Sequence, residues 1–285
     1  MTVDTFLKDT RRMEDGKVWR NTTWDAVPKR EQMHLALKKG DVGRYVLLPG
    51  DPDRCAPIAR YIDNAEKVAQ KREYTTYTGT LLGEVVSVTS TGIGCPSAAI
   101  AVEELSAIGA DTFIRVGTSA AIQPTCLRGD LVVASAAVRD DGTSRGYVPI
   151  EFPAVADIDI TMALRDAAKS LGMRYQVGFV ATKDAFYGQR AYYRLPTEER
   201  LKYRWQVWLR AGVLCTEMEA AAIYVVSSIL GKRAGGVMLV ATNQAVETEL
   251  TEESMTRQPI SKDDVIRTAI EALKLLIERD RAAGR

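Results

Sequence analysis

The chain has 285 residues, 46% of them apolar and 26% charged, the composition of an ordinary water-exposed protein with enough length to bury a substantial core. Its formal net charge of +1 provides no global field to draw it to nucleic acid or to a membrane, so any anion site must be built locally. Four scattered cysteines without a CxxC pair and a single histidine, His34, argue against a zinc site, a disulfide framework or a Ser-His-Asp triad, and favour buried reduced thiols in a cytoplasmic protein.

Residues 1 to 33 are charged and weakly periodic, and are expected to form an N-terminal arm carrying Trp19 and Trp24. From Arg44 onward strand and helix signals alternate. Tyr45 to Leu48 predicts a short buried strand ending at Pro49-Gly50, followed by a helix over 53–62. Val85 to Thr89 predicts a strand that ends in Thr91-Gly92-Ile93-Gly94, with a helix over 96–108 whose first turn suits Pro96. Thr112 to Val116 predicts a strand stopping at Gly117-Thr118-Ser119. Further strands are expected over 131–138, 177–182 and 237–240, and helices over 162–171, 219–230 and 263–281. The expected fold is α/β, one domain over 34–285 with a central mixed β-sheet flanked by helices on both faces. No stretch has the roughly 20 apolar residues that span a bilayer, and the N-terminus has no signal-peptide core.

Several segments carry chemistry. Gly50-Asp51-Pro52-Asp53-Arg54 allows close backbone approach to a ligand and sets Arg54 near a helix start, where an anion is favoured; its structural alternative is an ordinary Asp-Pro turn. Arg115 lies inside an apolar strand, where an unpaired charge costs several kcal/mol. It either pairs with a carboxylate such as Glu103 or Glu104, or faces an anion with Gly117 and Thr118 beside it. Glu217-Met218-Glu219 opens a predicted helix, and residues two apart on a helix diverge, so one glutamate is expected to serve a site by accepting from neighbouring sugar hydroxyls. Phe186 can stack on a planar ring, and the amide of Gln189 can read an amide-like edge.

In this order, Pro49 to Arg54, Ser90 to Gly94 with Pro96-Ser97, Arg115 to Thr118 and Glu217 to Glu219 resemble the uridine phosphorylase branch of the nucleoside phosphorylase family. The resemblance runs from about His34 to the last helix. It implies reversible phosphorolysis of a nucleoside, most simply uridine, with inorganic phosphate as co-substrate and no organic cofactor. It implies phosphate binding by Gly50, Arg54, Arg115 and Thr118, joined by Arg72 of a neighbouring subunit. Met218 and Glu219 would hold the ribose, with His34 crossing from the partner, and Phe186, Gln189, Arg190 and Asn243 would meet the base. Catalysis would fall to Arg115, Gln189 and Glu219. Glu73, Ile93 and Ser97 match positions that hold a monovalent cation, potassium, between subunits in some relatives. A dimer-based homo-oligomer, a hexamer, is implied as well.

This chain departs from the pattern in the base loop. Ala191 stands two places after Gln189, where the pyrimidine enzymes carry an arginine. Val240-Ala241-Thr242-Asn243-Gln244 lacks their second arginine, and Asn243 stands near an aspartate of the purine branch. A purine nucleoside phosphorylase, a hydrolytic nucleosidase and a non-catalytic nucleoside-binding protein are the rival readings. Arg115→Ala is expected to abolish activity with little loss of fold.

Overall fold

The computed structural model describes residues 31–190, 192–244 and 260–285, and within them the alternating signals become one mixed sheet of ten strands with helices on both faces. The expected arm, with Trp19 and Trp24, lies outside the described residues except for 31–33. Strand β1 (Tyr45–Pro49) leads through a tight turn (Pro52–Arg54) into the short helix α1 (Cys55–Ala59). A hairpin of β2 (Asp63–Lys71) and β3 (Tyr74–Leu81), then β4 (Glu84–Thr89), α2 (Cys95–Ala107) and β5 (Thr112–Ala121), complete the first half. The second half runs β6 (Leu131–Asp140), α3 (Thr143–Tyr147), β7 (Ala154–Val155), α4 (Ile158–Ser170), β8 (Tyr175–Lys183) and α5 (Phe186–Arg190). It ends with α6 (Glu198–Arg210), β9 (Cys215–Glu217), α7 (Ala220–Ile229), β10 (Arg233–Asn243) and α8 (Asp263–Ala282).

The period of two in the strands divides the core. Val46, Leu48, Phe113, Val132, Met238 and Val240 pack beneath α2 and α7, whereas Tyr45, Leu47, Ile114, Val116, Val133, Val237 and Leu239 pack against α4 and α8. Burying each such aliphatic side chain contributes roughly 1.5–3 kcal/mol. Arg115 shares the parity of Phe113, so it projects toward α2 and α7.

Strand β5 is the axis of the sheet, parallel to β1 on one side and to β10 on the other. Beyond β1 lie β4, β3 and β2. Strand β10 also pairs with β6, which continues through β8 and β9 back to β5, so β5, β10, β6, β8 and β9 close a ring. The opening of that ring beside β1 positions the site. Pairing of β5 with β1 ends at Val116, and pairing with β9 begins at Ala120, leaving 117–119 without a strand partner on that edge.

Three sequence expectations change. Strand β5 continues through Gly117-Thr118-Ser119 to Ala121 because β10 remains hydrogen-bonded alongside it. The helix expected over 53–62 is a tight turn plus five helical residues, its start capped by Asp51, whose carboxylate accepts from Asp53 N at 3.0 Å. The β2–β3 hairpin was not anticipated, since β2 is a mostly exposed strand rich in Asp, Glu, Lys and Gln and carries no clean alternation.

Helix α8 is tied to the sheet by a buried carboxylate, besides the exposed pair of Arg281 with Glu84 of β4. Asp280, 1% exposed, accepts from Tyr45 Oη at 2.9 Å and from Arg233 Nη1 at 3.1 Å. Burial pushes its carboxyl up, but the hydrogen bonds from Arg233 and Tyr45 outweigh that and hold it below the usual range. Asp280→Ala is expected to cost about 3 kcal/mol at neutral pH in urea unfolding. The unfolded carboxyl titrates near 3.9, so the ionic contribution is complete above about pH 4 and disappears as pH falls through the lower folded value. The stability gap between wild type and variant should therefore narrow below about pH 4; a gap constant from pH 6 to 2 would contradict this origin.

Candidate active site

The site forms where β1 and β5 part. Arg54, from the turn after β1, reaches across the split; its Nη1 donates to the Val116 carbonyl at 3.4 Å and its Nη2 to Thr118 Oγ1 at 3.3 Å. Burial, and then the charge of Arg115, lower its affinity for its proton. Gly50 and Gly92 are close neighbours here: a Cβ on Gly50 would meet the Gly92 carbonyl at 3.3 Å. An open parallel sheet binds ligands in such a crevice at the carboxyl ends of its strands, where the chain order reverses.

Arg115, 3% exposed, is held by two carboxylates. Its Nε lies 2.8 Å from Glu217 Oε2, and its Nη2 contacts Glu219 Oε2. Burial pulls its pKa down, but Glu219 and Glu217 together hold it above the ordinary value, so the guanidinium stays charged. Both carboxylates are themselves anchored. Glu217 Oε2 accepts from the backbone N–H groups of Glu219 and Ala220 at 2.8 and 2.9 Å, and its Oε1 accepts from Thr182 Oγ1. Glu219 Oε1 accepts from Gly94 N at 2.5 Å. Burial raises the Glu219 carboxyl, with Arg115 opposing.

This corrects two sequence expectations. Glu217 ends β9 and Glu219 precedes the first turn of α7, so the pair is not on a helix and both carboxylates converge on one guanidinium. Glu103 and Glu104 are not the partners of Arg115; Glu104 instead accepts from His34 Nδ1 at 2.6 Å and from the backbone N–H groups of His34 and Leu35. Two donors remain. Arg54 Nε and Arg115 Nη1 are buried and have no hydrogen-bond partner among the described residues. Two fixed guanidinium donors beside exposed strand-end backbone suit an oxyanion.

Met218 lies between the two glutamates, its carbonyl accepting from Cys95 Sγ at 3.3 Å. Arg72 caps the β2–β3 hairpin in a left-handed conformation (φ 53°) and is exposed, away from Arg54 and Arg115 in the hydrogen-bond network of this chain. Glu73 and Ser97 do meet: Ser97 Oγ lies 2.6 Å from Glu73 Oε1, 2.5 Å from the Thr91 carbonyl and 2.9 Å from Tyr74 Oη. Four oxygens in contact match the donor type of a hard cation, and Glu73 is held ionised below its ordinary pKa by the Ser97 hydroxyl. Ile93, in the adjacent turn, is 80% exposed.

Gln189 borders a cavity of about 600 Å³ that α6 roofs with Trp205, Trp208 and Leu209. None of Gly50, Arg54, Arg115 or Thr118 lines it. Strands β8 and β9 separate the two regions: Thr182 and Glu217 face Arg115, whereas Ala181, Lys183 and Thr216 face the cavity. Phe186 is half exposed and packs edge-on to Tyr187 at 5.2 Å. The Asn243 amide donates to the Gln123 and Cys126 carbonyls at 3.2 and 2.7 Å, bracing the β5–β6 loop; to donate to a ligand it would have to release them. The side chain of Arg190 lies outside the described residues. Sequence reasoning missed Lys183, Thr216 and the Glu217 contact to Arg115; the parity of β8 and β9 is the signal that groups them.

The fold and this arrangement define a class, and the chain belongs to it: residues 44–279 match the Phosphorylase superfamily. Its relatives include the uridine phosphorylase of Treponema pallidum (strain Nichols), 46% identical over 249 residues that cover 87% of this chain and 95% of that protein. Another is the uridine phosphorylase of Thermococcus kodakarensis, 48% identical over 255 residues, 87% of this chain and 88% of the relative. The guanosine phosphorylase of Halorubrum lacusprofundi is 38% identical over 240 residues, 84% and 95% of the two chains. No helix among the described residues is long and apolar enough to cross a membrane.

The expectation that Arg115→Ala leaves the fold intact is revised by the geometry, because removal of Arg115 strands two buried carboxylates. Arg115→Met should lower the unfolding free energy by about 3–5 kcal/mol in urea titration. Adding Glu217→Gln and Glu219→Gln should recover part of it; no recovery would mean that burial of unpaired carboxylates is not the cause.

Proposed function

We propose that the protein catalyses reversible phosphorolysis of uridine, giving uracil and ribose 1-phosphate. The observation that carries this reading is the pair of buried guanidinium donors, Arg54 Nε and Arg115 Nη1, which have no hydrogen-bond partner among the described residues where β1 and β5 separate, with Asp51 Oδ2 3.9 Å from Arg54 Nε. Phosphate held there by Arg54, Arg115, Thr118 and the backbone at Gly50 attacks the anomeric carbon from below the sugar. The C–N bond breaks, its electron pair leaves with the base, and positive charge builds on the ribose ring. Glu219 and Met218 hold the sugar, and Gln189, with Phe186 against the ring, holds the base. Hydrogen bonds aimed at the charge that develops on the base lower the barrier. A protein whose donors are all engaged by its own carboxylates would suit neither phosphate nor this reaction.

Charge supports a homo-oligomer. Arg54, Arg115, Glu217 and Glu219 sum to zero, so a phosphate dianion needs a further cation. Arg72, in the turn of the β2–β3 hairpin, would supply it to a neighbour, along with His34, whose Nδ1 is held by Glu104 so that Nε2 would be the nitrogen offered to a ligand hydroxyl. The assembly would be dimer-based, a hexamer, with potassium bound between subunits at Glu73, Ile93 and Ser97. The guanosine phosphorylase relative, together with the missing arginine at Ala191, favours purine nucleosides as the second reading.

Base release from uridine, thymidine, inosine, guanosine and adenosine, with and without phosphate, tests both. Release of uracil that depends on phosphate is expected, and Arg54→Ala should raise the KM for phosphate at least tenfold with a smaller change in the KM for uridine. Equal rates without phosphate would make the enzyme a hydrolase, and exclusive turnover of guanosine or inosine would transfer it to the second reading.

A further inference from the structure

Thr182, the last residue but one of β8, is buried on the strand face that looks toward Arg115. Its hydroxyl stands between two fixed groups. Oγ1 accepts from the backbone N–H of Ala221, in the first turn of α7, at 3.0 Å and donates to Glu217 Oε1. A hydroxyl has one proton and a carboxylate only accepts, so with the Ala221 N–H already directed at Oγ1 the Thr182 proton is committed to Glu217. The other oxygen, Oε2, accepts from the N–H groups of Glu219 and Ala220 and lies 2.8 Å from Arg115 Nε. The carboxylate is thereby set in one rotation, Oε2 on the guanidinium and Oε1 on Thr182. Glu217 and Glu219 together take the Nε and Nη2 edge of Arg115, and Nη1 is the donor that stays over.

We propose that Thr182 is a positioning residue for the anion: by holding Glu217 Oε1 it keeps that carboxylate on Nε and leaves Arg115 Nη1 to the incoming phosphate. Among the described residues Thr182 is the hydrogen-bond donor to Oε1. A carboxylate oxygen deprived of its donor in a buried site is costly and turns to whatever donor is in reach. Here that donor is the guanidinium. With the hydroxyl gone, Glu217 swings both oxygens onto Arg115 and competes with phosphate for the donor the ligand needs. Thr182 touches neither phosphate nor sugar in this arrangement; it acts through Glu217 and then Arg115. Its loss should therefore be felt by the anion rather than by the nucleoside.

This inference rests on the proposed phosphate site, and direct binding separates it from the phosphorolytic reading. Two variants divide the side chain: Thr182→Val keeps its shape and loses the hydroxyl, and Thr182→Ser keeps the hydroxyl and loses the methyl group. Binding of inorganic phosphate is measured by calorimetry for wild type and both variants, with urea unfolding of each and the KM values for phosphate and uridine alongside. Thr182→Val should weaken phosphate binding about tenfold and raise the KM for phosphate by a similar factor, with the KM for uridine little changed. Thr182→Ser should bind phosphate nearly as wild type does, even where its unfolding midpoint falls. Unchanged phosphate binding in Thr182→Val overturns the proposal, as does a loss in Thr182→Ser equal to that in Thr182→Val, or an equal rise in both KM values, because a packing role follows the methyl group or disturbs both substrates alike. Wild type that binds phosphate yet releases no uracil in a phosphate-dependent way removes the phosphorolytic reading, and the calorimetry still decides the role of Thr182. Wild type that binds no phosphate overturns both.

Discussion

A buried guanidinium between two carboxylates organises this protein. Arg115 comes from the central strand, Glu217 from the end of β9 and Glu219 from the entry to α7, so one charge cluster ties the central strand to a strand-to-helix junction far from it in sequence. Such a cluster is costly to bury unless every member is paired and oriented. Here Thr182, Gly94 and the backbone at 219–220 anchor the carboxylates. Arg115 is thereby held in one orientation, with its Nη1 left over. That leftover donor is what a ligand can use.

The sheet explains why the cluster lies where it does. Strand β5 is paired along its whole length by β10 but changes its other neighbour from β1 to β9 midway. The gap at 117–119 exposes backbone and brings Arg54 across from the end of β1. Closing the β5–β10–β6–β8–β9 ring requires β9 to take over at that level, so the crevice follows from the topology rather than from any single loop.

Strands β8 and β9 then divide the labour by parity. One face supplies Thr182 and Glu217 to the charge cluster; the other supplies Ala181, Lys183 and Thr216 to the cavity under α6. The charge cluster and the cavity are accordingly built on opposite faces of the same two strands, and the side chains that line the cavity can vary without disturbing the arginine cluster. The altered loop after Gln189, in a chain similar to both uridine and guanosine phosphorylases, fits that independence.

Much of this was legible in the residues. Runs such as Tyr45-Val46-Leu47-Leu48 and the amphipathic stretch after Asp263 declare strand and helix through local periodicity, and the glycine-bearing segments around Arg54, Gly92 and Arg115 were singled out because backbone approach and charge are local properties; Arg54 and Gly92 do meet at the crevice beside β5. Other features were not legible. Strand β2 is polar and gains its conformation from pairing with β3; β5 runs on past Gly117 because β10 lies beside it; and Glu217 and Glu219 converge because the strand-to-helix junction, not a helix, sets their directions. Periodicity and composition report what a segment prefers alone. Which carboxylate meets which guanidinium is set by strand order and register, which exist only once distant segments have packed.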